Sequence, residues 1–508
     1  MVKNLKRSLV LAFCATALLV LPTTHAVPPP PAAAADMFGV YNWGVDYSSY
    51  DYSTDRLNWA AAKIAQTGTR TIRVAISARD PYLANPFQSD NNDPNWLVNV
   101  ASAPAYSTLF GPNSPFSTYL LTTYTPADGP ADLSAPPWIY GFDSSSPGYG
   151  VESAQIQNLC TYLFNAYPSK TFIILNWEGD NAMQGALAAN NNPAVWDYYV
   201  NWLQSRADGV ASAKAAGVTN VSFGIEFNLV TAGNGEPCGG APFGGPGNQP
   251  ALSNRCVIDY VAPRLRNVDY FSYSSWQTMA IKLSQPEANL QQAINYALNG
   301  SMNLVSNGQI AFQGQSTVVP ASFLLGEFGF ARTDYGECNS ASYIQELFNA
   351  VRGPGAFGIS YAVFWQVIDN AAPPPNSFGL LRGSNGQMTT LATTFSALIN
   401  GQTPVLPGNC PSINQGGIVN GDPGPDQWTQ NIHPGTTMSI FGSNFSWGGN
   451  VVSVVQGNQL YLIGNGSQYW YESPYQINAM LPNISGQALV FVTNGSAMDS
   501  KAQAIDIR

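Results

Sequence analysis

Apolar and polar positions along the chain fall into a repeating order. Short continuous apolar runs alternate with longer stretches whose apolar positions recur every three or four residues, which are the patterns of buried strands and amphipathic helices. FGVYNWG from Phe38 reads as a strand, Asp55–Gln66 as a helix capped by Thr54 or Asp55, and TIRVAIS from Thr71 as a second strand. Residues 80–150 are rich in Pro, Asn, Ser and Tyr with little periodicity, and read as a long excursion containing one candidate strand, WIYGF from Trp138. Alternation then resumes. The strands are TFIILNW from Thr171, VSFGIEF from Val221, VDYFSYSSW from Val268, FLLGEFGF from Phe323 and YAVFWQV from Tyr361. The helical text between and after them covers Glu152–Ala166, Pro193–Ala216, Cys256–Leu265, Pro286–Leu298, Ser342–Val351 and Met388–Ile399.

Strand and helix in strict alternation imply a parallel sheet. Seven strands and one candidate, each separated by helical text, predict an α/β protein of the (β/α)8 TIM-barrel class with long loops over residues 37–400. An open doubly wound sheet is the alternative, but the first strand–helix junction lacks the glycine-rich phosphate turn such sheets usually carry. The Gly/Pro-rich segment GGAPFGGPGNQ from Gly239 follows no strand and reads as loop. Residues 401–417 have linker composition. From 418 to 508 the text changes to short alternating runs punctuated by Asn-Gly and Pro-Gly, which predict a small all-β sandwich.

The N-terminus changes the picture of where the chain works. Lys3, Lys6 and Arg7 precede the apolar run LVLAFCATALLVL, and small residues stand at the cleavage positions before Val27. Residues 1–26 therefore read as a signal peptide and 27–36 as a Pro/Ala spacer, predicting a secreted, extracellular or cell-surface protein. No later run is long and apolar enough to span a bilayer. A net charge of −10 with 20 basic residues disfavours nucleic acid and anionic membranes as partners.

Two histidines, His25 and His433, leave the barrel segment with none. Ser-His-Asp, Cys-His and His-ligated zinc chemistry are thereby excluded there, and carboxylates remain as acid and base. No metal or cofactor is expected; SDNNDPNW from Ser89 has oxygen-rich text but no EF-hand spacing. Five cysteines follow Cys14. Cys238 and Cys256 flank the Gly/Pro-rich loop as the preferred disulfide, Cys338–Cys410 is a weaker pairing, and Cys160 reads as a buried thiol.

Three acids end apolar strands: Glu178 in LNWEGDN, Glu226 in FGIEFN and Glu327 in LLGEFG. Cleaving a glycosidic bond takes two carboxyl groups facing each other across it, so a pair from these three is the candidate site.

Here the text resembles the cellulase-like clan of retaining TIM-barrel glycoside hydrolases. Gly326-Glu327-Phe328-Gly329 matches the clan's seventh-strand nucleophile, and Glu226-Phe227-Asn228 its fourth-strand acid/base, with Ile225 where the clan has Asn. The resemblance implies that Arg73 keeps the nucleophile ionised, that Tyr273 bonds it and that Trp365 floors the sugar subsite. Glu178 is the rival acid/base: it takes that role, with Asn176 nearby to bind substrate, if WIYGF is a barrel strand, and otherwise lines the groove with Asp180 and Asn181. Glu226 is preferred. Trp43, Trp177 and Trp276 lie near strand ends as candidate stacking platforms, with Asn228 beside the acid. WYESPYQINAMLP from Trp470 resembles an immunoglobulin-like module of the IPT/TIG kind found in secreted bacterial proteins. Together these imply a hydrolase acting on an oligo- or polysaccharide, a role in carbohydrate metabolism or polysaccharide degradation. The rival is a noncatalytic carbohydrate-binding protein on the same scaffold.

Overall fold

Eight parallel strands close into a barrel in the computed structural model of the protein. It describes residues 33–42, 55–77, 92–126, 137–229, 256–276, 278–279, 302–305, 309–312, 318–352, 359–369, 377–383, 386–456, 459–464, 470–496 and 498–508. The barrel strands are β1 (Phe38–Tyr41), β2 (Thr71–Ile76), β3 (Thr118–Thr123), β4 (Thr171–Leu175), β5 (Val221–Phe227), β6 (Tyr270–Ser274), β7 (Ser322–Phe328) and β8 (Ile359–Phe364). Each pairs with its neighbours in chain order and β8 pairs with β1. The strands are buried on both faces, and that is why they read as apolar runs.

Inside the barrel, Tyr41, Leu120, Ile173, Leu175, Tyr270, Leu324, Tyr361 and Val363 form the lumen core. The opposite faces of the strands pack on the surrounding helices, as Phe271, Tyr273, Leu325 and Phe328 do. Helix caps follow the sequence: Asp55 accepts from Asn58 N at the start of Arg56–Ala65, and Thr389 from Ala392 N at the start of Thr390–Ile399.

Four sequence expectations change. The third strand is TYLLTT at Thr118, whereas WIYGF is a 3-10 turn (Pro137–Tyr140) whose Trp138 packs on Tyr199 and Trp202. Thr and Tyr suit a strand, but here they were masked by the Pro- and Ser-rich text around them. LNWEGDN therefore follows the fourth strand, Glu226 lies on the fifth, and a helix not anticipated, Gly179–Ala189, starts directly after Glu178. The expected spacer ends early, because the turn Ala34–Met37 already docks on the barrel and Asp36 pairs with Arg70. The expected linker is also shorter, since a strand runs Ser412–Asn420. Its mostly exposed first half pairs with the edge at Gly442 and Ser443.

The C-terminal unit is a sandwich of two four-stranded antiparallel sheets with its own core, including Met438, Ile440, Val452, Val454, Ile477 and Val490. A small three-stranded antiparallel sheet (302–305, 309–312, 318–320) precedes β7. Cys338 and Cys410 form a disulfide. Cys256 is disulfide-bonded too, while Cys238, its expected partner, lies outside the described residues, as do the signal segment, Trp43 and the expected helix 286–298. Cys160 is free and buried, its thiol pushed up to about 12 by desolvation. No helix among the described residues is long and apolar enough to cross a membrane.

Candidate active site

At the C-terminal end of the barrel, Glu178 and Glu327 converge on one hydroxyl and one indole. Ser274 Oγ, at the tip of β6, lies 2.8 Å from Glu178 Oε1 and 2.9 Å from Glu327 Oε2. Trp276 Nε1 lies 3.0 Å and 3.2 Å from the same two oxygens. Both carboxylates are almost fully buried.

Strict alternation along β7 would turn Glu327 outward. Leu324 faces the lumen and Leu325 the helices, so Gly326 would face in and Glu327 out. A register shift against β6, from Leu325 opposite Tyr273 to Glu327 opposite Ser274, adds one residue and brings Glu327 to the lumen. Gly326 is required for this geometry. A Cβ there would overlap Ser272 Oγ and a Glu226 oxygen and come within 3.3 Å of Arg73 Nη1.

Below the pair lies a fully buried Arg73. Its Nη1 and Nη2 donate to both oxygens of Glu226 at 2.6 and 2.9 Å, its Nε to Thr122 Oγ1 at 3.0 Å, and Nη1 also to Gly326 O at 3.0 Å. The guanidinium lies over the Tyr41 ring, 4.4 Å from its centroid. Glu226 takes a further bond from Ser272 Oγ and the Glu178 backbone N–H. Arg73 is thus chiefly the partner of Glu226, and it reaches Glu327 Oε1 at 3.3 Å as a secondary contact. A buried charge is retained only when paired. Arg73 is committed to Glu226 and gives the Glu178–Glu327 pair its secondary contact.

Burial raises the pKa of both members of that pair above the ordinary carboxylate value. The Glu226 charge raises Glu178 further, and Glu178 raises Glu327. Such a pair holds one proton between its members over the intermediate pH range and titrates as a unit. Arg73, 3.3 Å from Glu327 Oε1, opposes the rise at Glu327, which is still the larger of the two.

The other expected site residues divide sharply. Trp276 and Trp365 flank the pair, their rings edge to face at 6.1 Å, with Tyr41 and Phe378 closing the aromatic corner. The Trp365–Gln366 peptide bond is cis. Tyr273 does not bond Glu327. It sits on the helix-facing side of β6, stacked on Phe227 and bonded to Thr278. Ser274 and Trp276 supply the donors expected of it, and sequence alternation from Tyr270 through Ser272 to Ser274 was the available signal.

Asn176, Asp180 and Asn228 are buried staples rather than groove residues. Asn176 exchanges bonds with the Glu226 backbone, Asp180 accepts from the Asn228, Leu229 and Val257 N–H groups, and Asn228 accepts from those of Asp180 and Asn181. They hold the end of β4 against β5. Trp177 packs on Ala75 and Tyr124, beside Trp138, Ala182 and Tyr199, away from the aromatic corner. Asn181 donates its amide to Glu178 Oε2.

No family model and no curated protein matches the chain in sequence. Among solved structures, the chain is similar to the GH1 β-glucosidase from Exiguobacterium antarcticum at 12% identity, covering 74% of this chain and 99% of that one with a TM-score of 0.43. A GH5_18 variant from Streptomyces cattleya in complex with Manb1-4GlcNAc gives 12% identity, coverage of 72% and 80%, and 0.45. The β-glucuronidase from Bacteroides uniformis gives 10% identity and 0.39 over 93% of this chain, which spans only 46% of that protein's length. The assignment of the barrel rests on its own closure and register.

Proposed function

We propose that the protein is a retaining glycoside hydrolase acting on an oligo- or polysaccharide, with Glu327 as nucleophile and Glu178 as acid/base. The observation that carries this reading is the meeting of Glu178 and Glu327 at Ser274 Oγ and Trp276 Nε1. Two oxygens each within 2.9 Å of one hydroxyl lie at most twice that distance apart. That is shorter than the separation of about 6.5–9.5 Å by which inverting enzymes admit a water between their carboxyls.

The reaction requires the pair's proton on Glu178 at the moment of attack: Glu178 gives it to the glycosidic oxygen as that bond breaks, while ionised Glu327, 3.3 Å from Arg73, attacks the anomeric carbon. Glu178, now a carboxylate, takes a proton from water as the water attacks the glycosyl ester and releases Glu327. The Arg73–Glu226 pair supports Glu327 from below. This exchanges the roles expected for Glu226 and Glu178, for the physical reason that both oxygens of Glu226 are committed to one guanidinium. Trp276 and Trp365 present the apolar ring surface on which a sugar stacks. The N-terminal segment adds export and the sandwich an IPT/TIG-like module, both read from sequence. Recovery of a mature chain beginning at Val27 from the growth medium would support export.

Turnover of aryl glycosides and polysaccharides, with NMR of the first-formed anomer, tests the activity. Retention of configuration is expected, and an activated 2-fluoro glycoside should label the peptide carrying Glu327. Inversion would overturn the mechanism. Binding without turnover across a broad panel would favour the noncatalytic carbohydrate-binding reading.

A further inference from the structure

Resting on the reading above, we infer that Asp499 of the sandwich is a positioning residue for the barrel's active site, acting through Arg332 and Phe378 on Trp276. Asp499 is buried, and its carboxylate accepts from Arg332 Nε at 3.0 Å, from Arg382 Nη1 at 3.0 Å on each oxygen, and from Thr493 Oγ1 at 2.6 Å. Its backbone O accepts from Glu337 N at 2.9 Å. Both arginines belong to the barrel: Arg332 opens the turn that follows β7, and Arg382 lies beyond β8. Burial opposes ionisation of Asp499, but Arg382 and Arg332 hold it below the usual carboxylate range.

From Arg332 the contacts lead back to the site. Its backbone N–H donates to Ser377 O and its Nη1 to Gly379 O at 2.9 Å, while Nη2 holds Asp369, whose other oxygen takes the Gly379 N–H at 2.7 Å. The residues on both sides of Phe378 are therefore fixed by one residue, Ser377 through the backbone N–H of Arg332 and Gly379 through its guanidinium. The Phe378 ring meets Trp276 edge to face at 5.2 Å, and Trp276 Nε1 donates to Glu178 and Glu327. Two further tethers join the units at the same place: the Cys338–Cys410 disulfide, and Ala502 N–H to Thr333 O at 2.6 Å. Without Asp499, Arg332 and Arg382 would share Glu337, with Asp369 as the other acid beside Arg332. The guanidinium would then shift toward those acids and carry Gly379, and with it the adjoining Phe378, along.

The test uses the full chain with Asp499→Asn, which keeps shape and removes charge, and Asp506→Asn, whose exposed carboxylate pairs with Arg508, as the control. The first readout is the pH profile and the kcat and KM of glycoside hydrolysis. The second, independent of activity, is the 19F resonance of 5-fluorotryptophan at position 276, assigned by its loss in Trp276→Phe, followed against pH. Asp499→Asn should lower kcat about tenfold or more with little change in KM, and should move both the acidic limb of the profile and the 19F titration to higher pH. That direction follows because a loosened N–H stabilises the carboxylate anions less. Asp499→Glu should recover part of the loss, and Asp506→Asn should match wild type.

If Asp499→Asn does not fold, Phe378→Leu breaks the same chain one step nearer the site and should give the same shifts. Wild-type kcat, pH profile and 19F titration in either variant would overturn the inference. A wild-type chain that hydrolyses no glycoside, yet whose Trp276 titration moves on Asp499→Asn, would sink the proposed function and leave the coupling standing.

Discussion

Truncating Glu178 and Glu226 separately should give opposite phenotypes, because Glu178 is bonded to neutral donors while both oxygens of Glu226 are committed to an ion pair. Glu178→Ala leaves Ser274 and Trp276 still bonded to Glu327 and removes no partner from Arg73, so folding should be intact. A positioned general acid contributes about 10²–10⁴-fold. Substrates with poor leaving groups should lose roughly that factor, activated aryl glycosides much less in their first step, and azide should rescue the second step by attacking the glycosyl ester without a base. Glu226→Ala instead leaves Arg73, fully buried, without its two shortest bonds at 2.6 and 2.9 Å. Breaking a buried pair from one side costs about 3–5 kcal/mol, which for a barrel of about 360 residues lowers Tm by about 4–7 °C. Its residual activity should fall equally for both leaving-group classes, with no response to azide. Stopped-flow hydrolysis of a leaving-group series with and without azide, alongside calorimetry, reads all of these together. Azide rescue of Glu226→Ala, or an unchanged Tm for that variant, would refute the assignment and return the acid/base role to Glu226.

Glu327→Gln should abolish turnover while raising stability at alkaline pH. Burial raises the Glu327 pKa in the fold above its ordinary value of 4.5, so the wild-type residue's contribution is complete below that pH and is lost as pH rises through the folded value. Thermal melts should show Gln gaining over wild type at pH 8 and the gain vanishing near pH 4; a constant difference would contradict the burial argument. Gly326→Ala should destabilise the fold by about 1–3 kcal/mol or more, since the methyl group would overlap Ser272 and Glu226, and denaturant titration measures it. A chain ending near Gly408, which the sequence pattern alone would allow to stand as an active barrel, loses Cys410 and Asp499 and should be markedly less active than the full chain on the same soluble substrate.

What the sequence determined by itself was local. Strand–helix alternation carried the barrel, seven of its eight strands and the separate sandwich, because buried strands and amphipathic helices write their period into neighbouring residues. The absence of histidine from the barrel segment and the three acids at strand ends narrowed the chemistry to carboxylates, and Gly326-Glu327-Phe328-Gly329 marked one of them as the expected nucleophile. Which acids meet was decided only by tertiary structure. TYLLTT has the residues of a strand but not the apolar run of its neighbours, and missing it moved Glu226 from the fifth strand to the fourth. Arg73 and Glu226 lie 153 residues apart, and nothing in either segment names the other. The register shift that turns Glu327 inward, the sharing of Ser274 and Trp276, and the reach of Asp499 into the barrel arise from closing a sheet and docking a second core. Side-chain pairing across such distances depends on where the backbone has been carried, and pattern along the chain carries no record of it.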